Sequence, residues 1–457
     1  MTGGSAPWYK HRMDSFLQGV GEFSATLLTL GAFASILVLA RFKVPLGLAI
    51  LGGAVLAGLV FGQGPVQLAW LFARGLVQPD TIGLVVLTTL LLGLSATLQV
   101  TGQTERIVAL AQAFFRRPAI TMAALPAMIG LLPMPGGALV SAPMVASAAR
   151  CGQGDPGLDC VGPGLLSAIN YWFRHVWEHW WPLYPGVILA MSLTHATPLK
   201  WLVTMIPMGA VMVASGMMIL ARVHPDLRAT GPRPSAGVRR DLLMVLSPIW
   251  IIILVYVPGA WLVQQLGEQT LKTPIGDALA KFGAIGLGVV VSLVWTSIAS
   301  RLGPLQLRAV WGRRSTYSMT LLVISVMLFQ LTLKQVQAPA AIGWELAAAH
   351  VPVSAVVAAL PFIAGMVTGL AFGFVGTAFP IILGLVPAGA SVWPYAMLGY
   401  AFGHMGQMLS PIHMCHVVSN RYFGTPFGPV YRHIVPSAAV NIAGAIGYFL
   451  LLRWWMN

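Results

Sequence analysis

Long uncharged apolar runs dominate this chain, and no other feature restricts its fold as strongly. Ten windows, 22–41, 45–62, 80–99, 164–190, 198–221, 242–264, 278–299, 315–333, 391–412 and 433–452, each come close to or exceed the roughly 20 residues a helix needs to cross a bilayer. Lipid offers no partner to a free N–H or C=O, so such runs must be helices unless they close into a barrel. The alternation of apolar and polar positions that marks barrel strands is absent. With 57% hydrophobic residues, 8% charged residues and a mean hydropathy of +0.80, the chain reads as an all-α polytopic membrane protein.

Two further apolar segments, 118–150 and 353–388, are too long for one helix and carry Gly and Pro near their middles. Each reads as a re-entrant hairpin, with tips at PMPGGALVSAP and GLAFGFVGTAFP. The mixed segment 65–77 reads as an interfacial stretch.

Placing Lys and Arg on the two sides of these spans gives seventeen on one side and eight on the other, with Arg174 inside a span. The positive-inside rule then puts the richer side in the cytoplasm and both termini outside, in the inner (cytoplasmic) cell membrane. The net charge of +14 belongs to this topology, since no basic tract with interleaved aromatics exists, and no nucleic acid partner is expected. Cys151, Cys160 and Cys415 are an odd count without a CxxC, which supports neither a disulfide framework nor a zinc ribbon. The N-terminus lacks the basic segment and apolar core of a signal peptide.

A basic loop, 223–241, divides the chain into 1–222 and 242–457, each with five spans and one hairpin. Ala124-Leu125-Pro126 with Gly130 recurs as Ala359-Leu360-Pro361 with Gly365, and Gly136 and Pro143 correspond to Gly373 and Pro380. YWFRHVWEHWWPL (171–183) aligns without gaps on YAFGHMGQMLSPI (400–412), with Tyr, Phe, His and Pro in register and Glu178 opposite Gln407. Five spans per half is an odd number, so the second half enters the membrane upside down. This is the inverted-topology repeat of many secondary transporters. The first repeat comprises scaffold helices 22–99, hairpin 118–150 and broken helix 164–190; the second comprises scaffold helices 242–333, hairpin 353–388 and broken helix 391–420.

The hairpins then approach from opposite faces, and their tips bring Pro135, Gly136, Gly137 and Ser141 toward Gly373, Gly376 and Thr377. Helix N-termini at such tips present free N–H groups to an anion; closely packed kinked helices are the structural alternative. Of the twelve acids, only Glu178 lies deep in a predicted span, where a carboxylate costs a few kcal/mol and marks a functional path or a buried pair. Two readings stand: a salt bridge to Arg174 at i,i+4, or a proton acceptor with His175 as relay, which leaves Arg174 to hold a substrate carboxylate. Asn170, His404, Gln407, Ser410 and His413 complete the candidate binding set. The two broken helices interrupt at Pro182/Pro185 and at Pro411, where transporters place ligands.

His175-Val-Trp-Glu178-His179 also spells HxxEH, an inverted zinc-protease motif, so an intramembrane zinc hydrolase is the alternative from a different class. A channel would need a continuous polar stripe, which the spans lack, and GxxxxGK[ST] is absent.

PMPGGALVSAPM and SPIHMCHVVSNRYFG resemble the two signatures of an uncharacterised membrane protein family, a domain of unknown function in the ion transporter superfamily. That superfamily includes gluconate, citrate, dicarboxylate and arsenite carriers. The resemblance covers nearly the whole chain. It implies an elevator mechanism in a homodimer, with a small carboxylate such as a gluconate-, citrate- or dicarboxylate-like anion as substrate. The Ser-Asn-Thr triplets of sodium-coupled dicarboxylate carriers are missing from both tips, and Ser419-Asn420 lies past the break. The expected protein is a secondary transporter, not an enzyme, with H+ or Na+ as coupling ion, no cofactor and no metal.

Overall fold

The computed structural model describes residues 24–131, 137–149, 161–228, 236–266, 268–271 and 273–456, and among them the only regular elements are helices. The first half runs α1 (Ser24–Arg41), α2 (Leu46–Val60), α3 (Pro65–Leu76), α4 (Pro79–Val100), α5 (Gln103–Phe114), α6 (Pro118–Gly130), α7 (Gly137–Ala148), α8 (Pro163–Arg174), α9 (Pro185–Leu193) and α10 (Pro198–Leu220). The second runs α11 (Ala236–Val245), α12 (Ser247–Gln264), α13 (Glu268–Leu271), α14 (Pro274–Ala278), a π-helical turn (Leu279–Gly283) and α15 (Ala284–Ala299). It continues through α16 (Pro304–Trp311), α17 (Arg314–Gln335), α18 (Ala338–Ala348), α19 (Val353–Thr368), α20 (Ala371–Ile382), α21 (Val392–Leu409), α22 (Met414–Tyr422) and α23 (Phe427–Met456).

Six helical stretches are by themselves long and apolar enough to cross a membrane: α4, α10, α12, Pro274–Ala299, Pro304–Gln335 and α23. Each coincides with one of the windows read from the sequence, and the chain is a multi-pass membrane protein. The windows 22–41 and 45–62 yield the shorter apolar helices α1 and α2. Window 164–190 is interrupted, with irregular backbone from 175 to 184 between α8 and α9.

Proline starts many of these helices because the first turn needs no N–H from it and its fixed φ suits the helix; Pro65, Pro79, Pro163, Pro185 and Pro304 all do so. The cap at Pro65 recurs at Pro304. In each, a Gln side chain accepts a hydrogen bond from the preceding glycine N–H: Gly64 to Gln67 and Gly303 to Gln306, both at 2.9 Å. This shared G-P-x-Q was not among the matches read from the sequence.

Segment 118–150 forms α6 and α7, which pack against each other, and segment 353–388 forms α19 and α20 in the same way. The second turn is tighter than its tip sequence implied. Gly369, at φ +62, caps α19, and α20 begins two residues later. Gly373, Gly376 and Thr377 therefore lie within α20 and not at a tip, which corrects the expectation for all three. Pro126, Pro143, Pro361 and Pro380 also sit inside helices. Pro135 and Gly136 lie outside the described residues.

Among the earlier helices of each half, α1 packs on α2, α2 on α17, α4 on both α15 and α17, and α12 on α15. Other helices interlock across the halves, with α7 on α22, α9 on α20 and α8 on α23, while α21 packs on α23 within the second half. Close approach uses small residues, as expected where lipid supplies no hydrophobic drive between helices. An added Cβ on Gly130 of α6 would strike the Arg174 carbonyl, and one on Gly365 of α19 would strike the Gly403 carbonyl. These glycines hold equivalent places in the two ALPxxxG strings, and their partners hold equivalent places in the 171–183 and 400–412 alignment.

Candidate functional site

The 171–184 segment and helix α21 meet through a set of contacts that run both ways. The Tyr400 hydroxyl donates to the Glu178 carbonyl at 2.8 Å, and the Tyr171 hydroxyl donates to the Met408 carbonyl at 3.0 Å, with the Gln407 carbonyl at 3.4 Å. Between them the Gln407 amide donates to Glu178 Oε2 at 2.8 Å. The two residues that align in the sequence are thus bonded to each other.

Glu178 is 4% exposed, and its surroundings explain how a carboxylate is tolerated there. His404 Nε2 lies 3.5 Å from Oε2, and His175 Nε2 lies 3.7 Å from Oε1. Helix α8 ends at Arg174, so the i,i+4 geometry that would pair Arg174 with Glu178 on one helical face is not formed. Each of the two histidines forms an ion pair with the carboxylate only when its ring is protonated. Arg174 instead turns its buried guanidinium onto Gly137 at the start of α7, where a Cβ would collide with it, and contacts Cys415 of α22.

A polar seam continues along α8 toward α22. Asn170 Nδ2 donates to the Ser419 hydroxyl at 2.8 Å and to the Ala138 carbonyl at 3.2 Å, while the Ser167 hydroxyl donates to Asn420 Oδ1 at 2.6 Å. Ser419 and Asn420 therefore join the site although they lie past the break in the sequence. His413 Nε2 is 3.1 Å from His175 Nε2, and the His175 Nδ1 is 2.6 Å from the Tyr171 carbonyl. The Ser410 hydroxyl donates to the Met366 carbonyl at 2.6 Å, tying the break to the end of α19, and Gly369 backs onto His413.

Other expected ligands have different tasks. The Ser141 and Thr377 hydroxyls donate to the carbonyls four residues earlier, Gly137 and Gly373, at 3.3 and 2.6 Å. Both are fully buried, so these hydroxyls satisfy their own helices. Gly376 packs on Val326 of α17, and Gly373 on Thr368. The HxxEH triad is not assembled as in a zinc protease: His179 Nε2 pairs with His404 Nδ1 at 3.3 Å, whereas His175 faces His413. Sequence reasoning missed Cys415 and the paired tyrosines; the Tyr171/Tyr400 register was the available signal for the latter.

The described arrangement is a buried crossing of two interrupted helices, with one carboxylate, one guanidinium and five imidazoles, the fifth being His416 stacked on Tyr171. A family model described as "Protein of unknown function (DUF401)" matches residues 23–263 and 279–452. The chain belongs to that family. No curated protein matches it. Among solved structures this family member is similar to the YdaH transporter of Alcanivorax borkumensis, described as having an unusual topology, with TM-score 0.57 and 13% identity over 86% of this chain and 89% of that one. It is also similar to Neisseria gonorrhoeae MtrF, described as illuminating a class of antimetabolite efflux pumps, with TM-score 0.56 and 12% identity over 86% and 85%. The family member shares the fold of these two proteins.

Proposed function

We propose that this protein is a secondary active transporter for a small organic anion, a carboxylate of the gluconate, citrate or dicarboxylate kind, coupled to protons or sodium. The observation that carries the reading is the reciprocal crossing, in which Tyr171 and Tyr400 each bond the opposite segment and Glu178 meets Gln407. Contacts that run both ways between aligned residues support an inverted repeat, 1–222 and 242–457 about the cytoplasmic linker 223–241. Site residues at the interface of two such repeats are the plan of secondary transporters. The recurring Gly-Pro-x-Gln caps and the matched glycines Gly130 and Gly365 support the same repeat.

In this reading Arg174, beside the N-terminus of α7, holds the substrate carboxylate with its planar fork. Glu178 accepts the coupling proton, and His175 and His404 relay it. Neutralising Glu178 weakens its hold on both histidines, which is how protonation would loosen the crossing. The hairpins and broken helices move as a unit past the scaffold, in an elevator homodimer in the inner membrane with both termini outside. Purified protein in proteoliposomes should accumulate a labelled carboxylate when a proton or sodium gradient is imposed. No gradient-dependent uptake of any anion in a panel of hydroxy-, di- and tricarboxylates would overturn the proposal.

A further inference from the structure

The geometry points to a transition-metal site at the crossing, formed by His175, His413 and Cys415. We infer that it takes a zinc-class ion, borderline to soft, in a site of mixed nitrogen and sulfur character. One ligand atom from each of the three residues lies within 4.8 Å of the others. The His175 and His413 Nε2 atoms are 3.1 Å apart; two nitrogens at about 2.05 Å from one tetrahedral ion stand about 3.3 Å apart. Glu178 Oε1 stands 3.7 Å from His175 Nε2 but lies outside this group, which leaves the fourth corner of the tetrahedron to a solvent molecule or an exogenous ligand.

His175 is held as a ligand should be held. Its Nδ1 is 2.6 Å from a carbonyl oxygen, which can only accept, so that nitrogen carries the proton and, in the neutral ring, Nε2 presents a lone pair. The donor set decides the ion: two imidazoles and a thiol suit zinc-class metals or copper, whereas magnesium and calcium demand oxygen ligands. Binding is balanced by release of the thiol proton to solvent as Cys415 becomes a thiolate ligand. The ligands come from both broken segments, His175 from the first and His413 and Cys415 from the second. An ion here clamps the two broken helices together.

This inference goes beyond the transport reading. Metal occupancy is measured with no gradient and no organic anion, so failure of either leaves the other standing. Co2+ is the probe, titrated into full-length protein in detergent, because a thiolate ligand to tetrahedral Co2+ gives a charge-transfer absorption. One Co2+ per chain with that absorption is expected, displaced by Zn2+. Cys415→Ser should abolish the thiolate band, and His413→Gln should weaken binding at least about tenfold. His195→Gln should change neither, since it alters the separate outer group of Asp80, His195 and Asp277. Absence of stoichiometric Co2+ in the wild-type protein overturns the proposal without reference to any variant. So does a thiolate band that persists in Cys415→Ser, or binding lost only in His195→Gln.

Discussion

The two broken segments share a backbone plan and differ in charge. Where 171–183 carries Arg174, Glu178 and His179, 400–412 carries Gly403, Gln407 and Met408. The contrast extends to the hairpins. In the first half the large side chain belongs to the broken helix and the glycine to the hairpin, with Arg174 seated on Gly137. In the second half the sizes are exchanged, and Phe374 of α20 fills the place that a Cβ on Gly403 would need. Residues 137 and 374 are counterparts in the same register that pairs Gly136 with Gly373. The same junction is built twice, once around a cation and once around a phenyl ring. The first junction holds the charge and the second does not.

The most damaging way to test this contrast is to impose the second half's arrangement on the first. Gly137→Phe should clash with the Arg174 guanidinium and displace a buried charge, at about 3–5 kcal/mol, read as a loss of folded protein on thermal denaturation in detergent. Adding Arg174→Gly should restore folding, because it reproduces the Gly403 and Phe374 pairing, without restoring anion binding. A double variant no more stable than Gly137→Phe alone would show that the two junctions are not equivalent.

A finer comparison uses the tyrosines. Tyr171→Phe and Tyr400→Phe each remove one hydrogen bond to the opposite segment's backbone, at about 0.5–1.5 kcal/mol apiece. Thermal or denaturant titration should find the two costs similar if the crossing is reciprocal, and markedly unequal costs would break the symmetry.

Much of the fold was legible from the chain itself. The apolar windows located the six long spans, and the register of 171–183 on 400–412 paired residues that turn out to be bonded. The register could be read because Tyr and His are scarce in so apolar a chain, so each match carries weight. What could not be read were the consequences of exact helix ends. Because α8 stops at Arg174, a spacing that resembles an i,i+4 pair leads Arg174 to Gly137 and Glu178 to Gln407. Because Gly369 alone takes the left-handed turn, Gly373, Gly376 and Thr377 fall inside α20. Cys415 went unnoticed because nothing in its local pattern distinguishes it from a packed thiol; only the approach of α22 to α8 brings it to His175.

The smallest expected effect lies away from the crossing, at the turn between α9 and α10, where the halves also meet. Lys281, in the π-helical turn, bonds Asp80 of the first half at 2.8 Å and Asp277 at 2.6 Å, and His195 lies 3.9 Å from Asp277. Partial burial, then Lys281 and Lys334, hold the His195 pKa below its ordinary value, against the opposing pull of Asp277 and Asp80. A histidine whose folded-state pKa is depressed binds fewer protons than the unfolded chain, so its contribution is complete above the ordinary value of about 6.5 and is lost as pH falls below it. His195→Gln should flatten that acid-side loss of thermal stability slightly; an unchanged pH profile would remove His195 from the account.

The central claim, that Glu178 alone carries coupling at a crossing otherwise built twice, is tested most directly by Glu178→Gln in proteoliposomes. The substitution makes the crossing an amide pair and keeps a partner for the Gln407 side chain. The account predicts that counterflow exchange of the labelled carboxylate persists while accumulation driven by an imposed gradient disappears. Gradient-driven accumulation at wild-type level, with unaltered pH dependence, would contradict it.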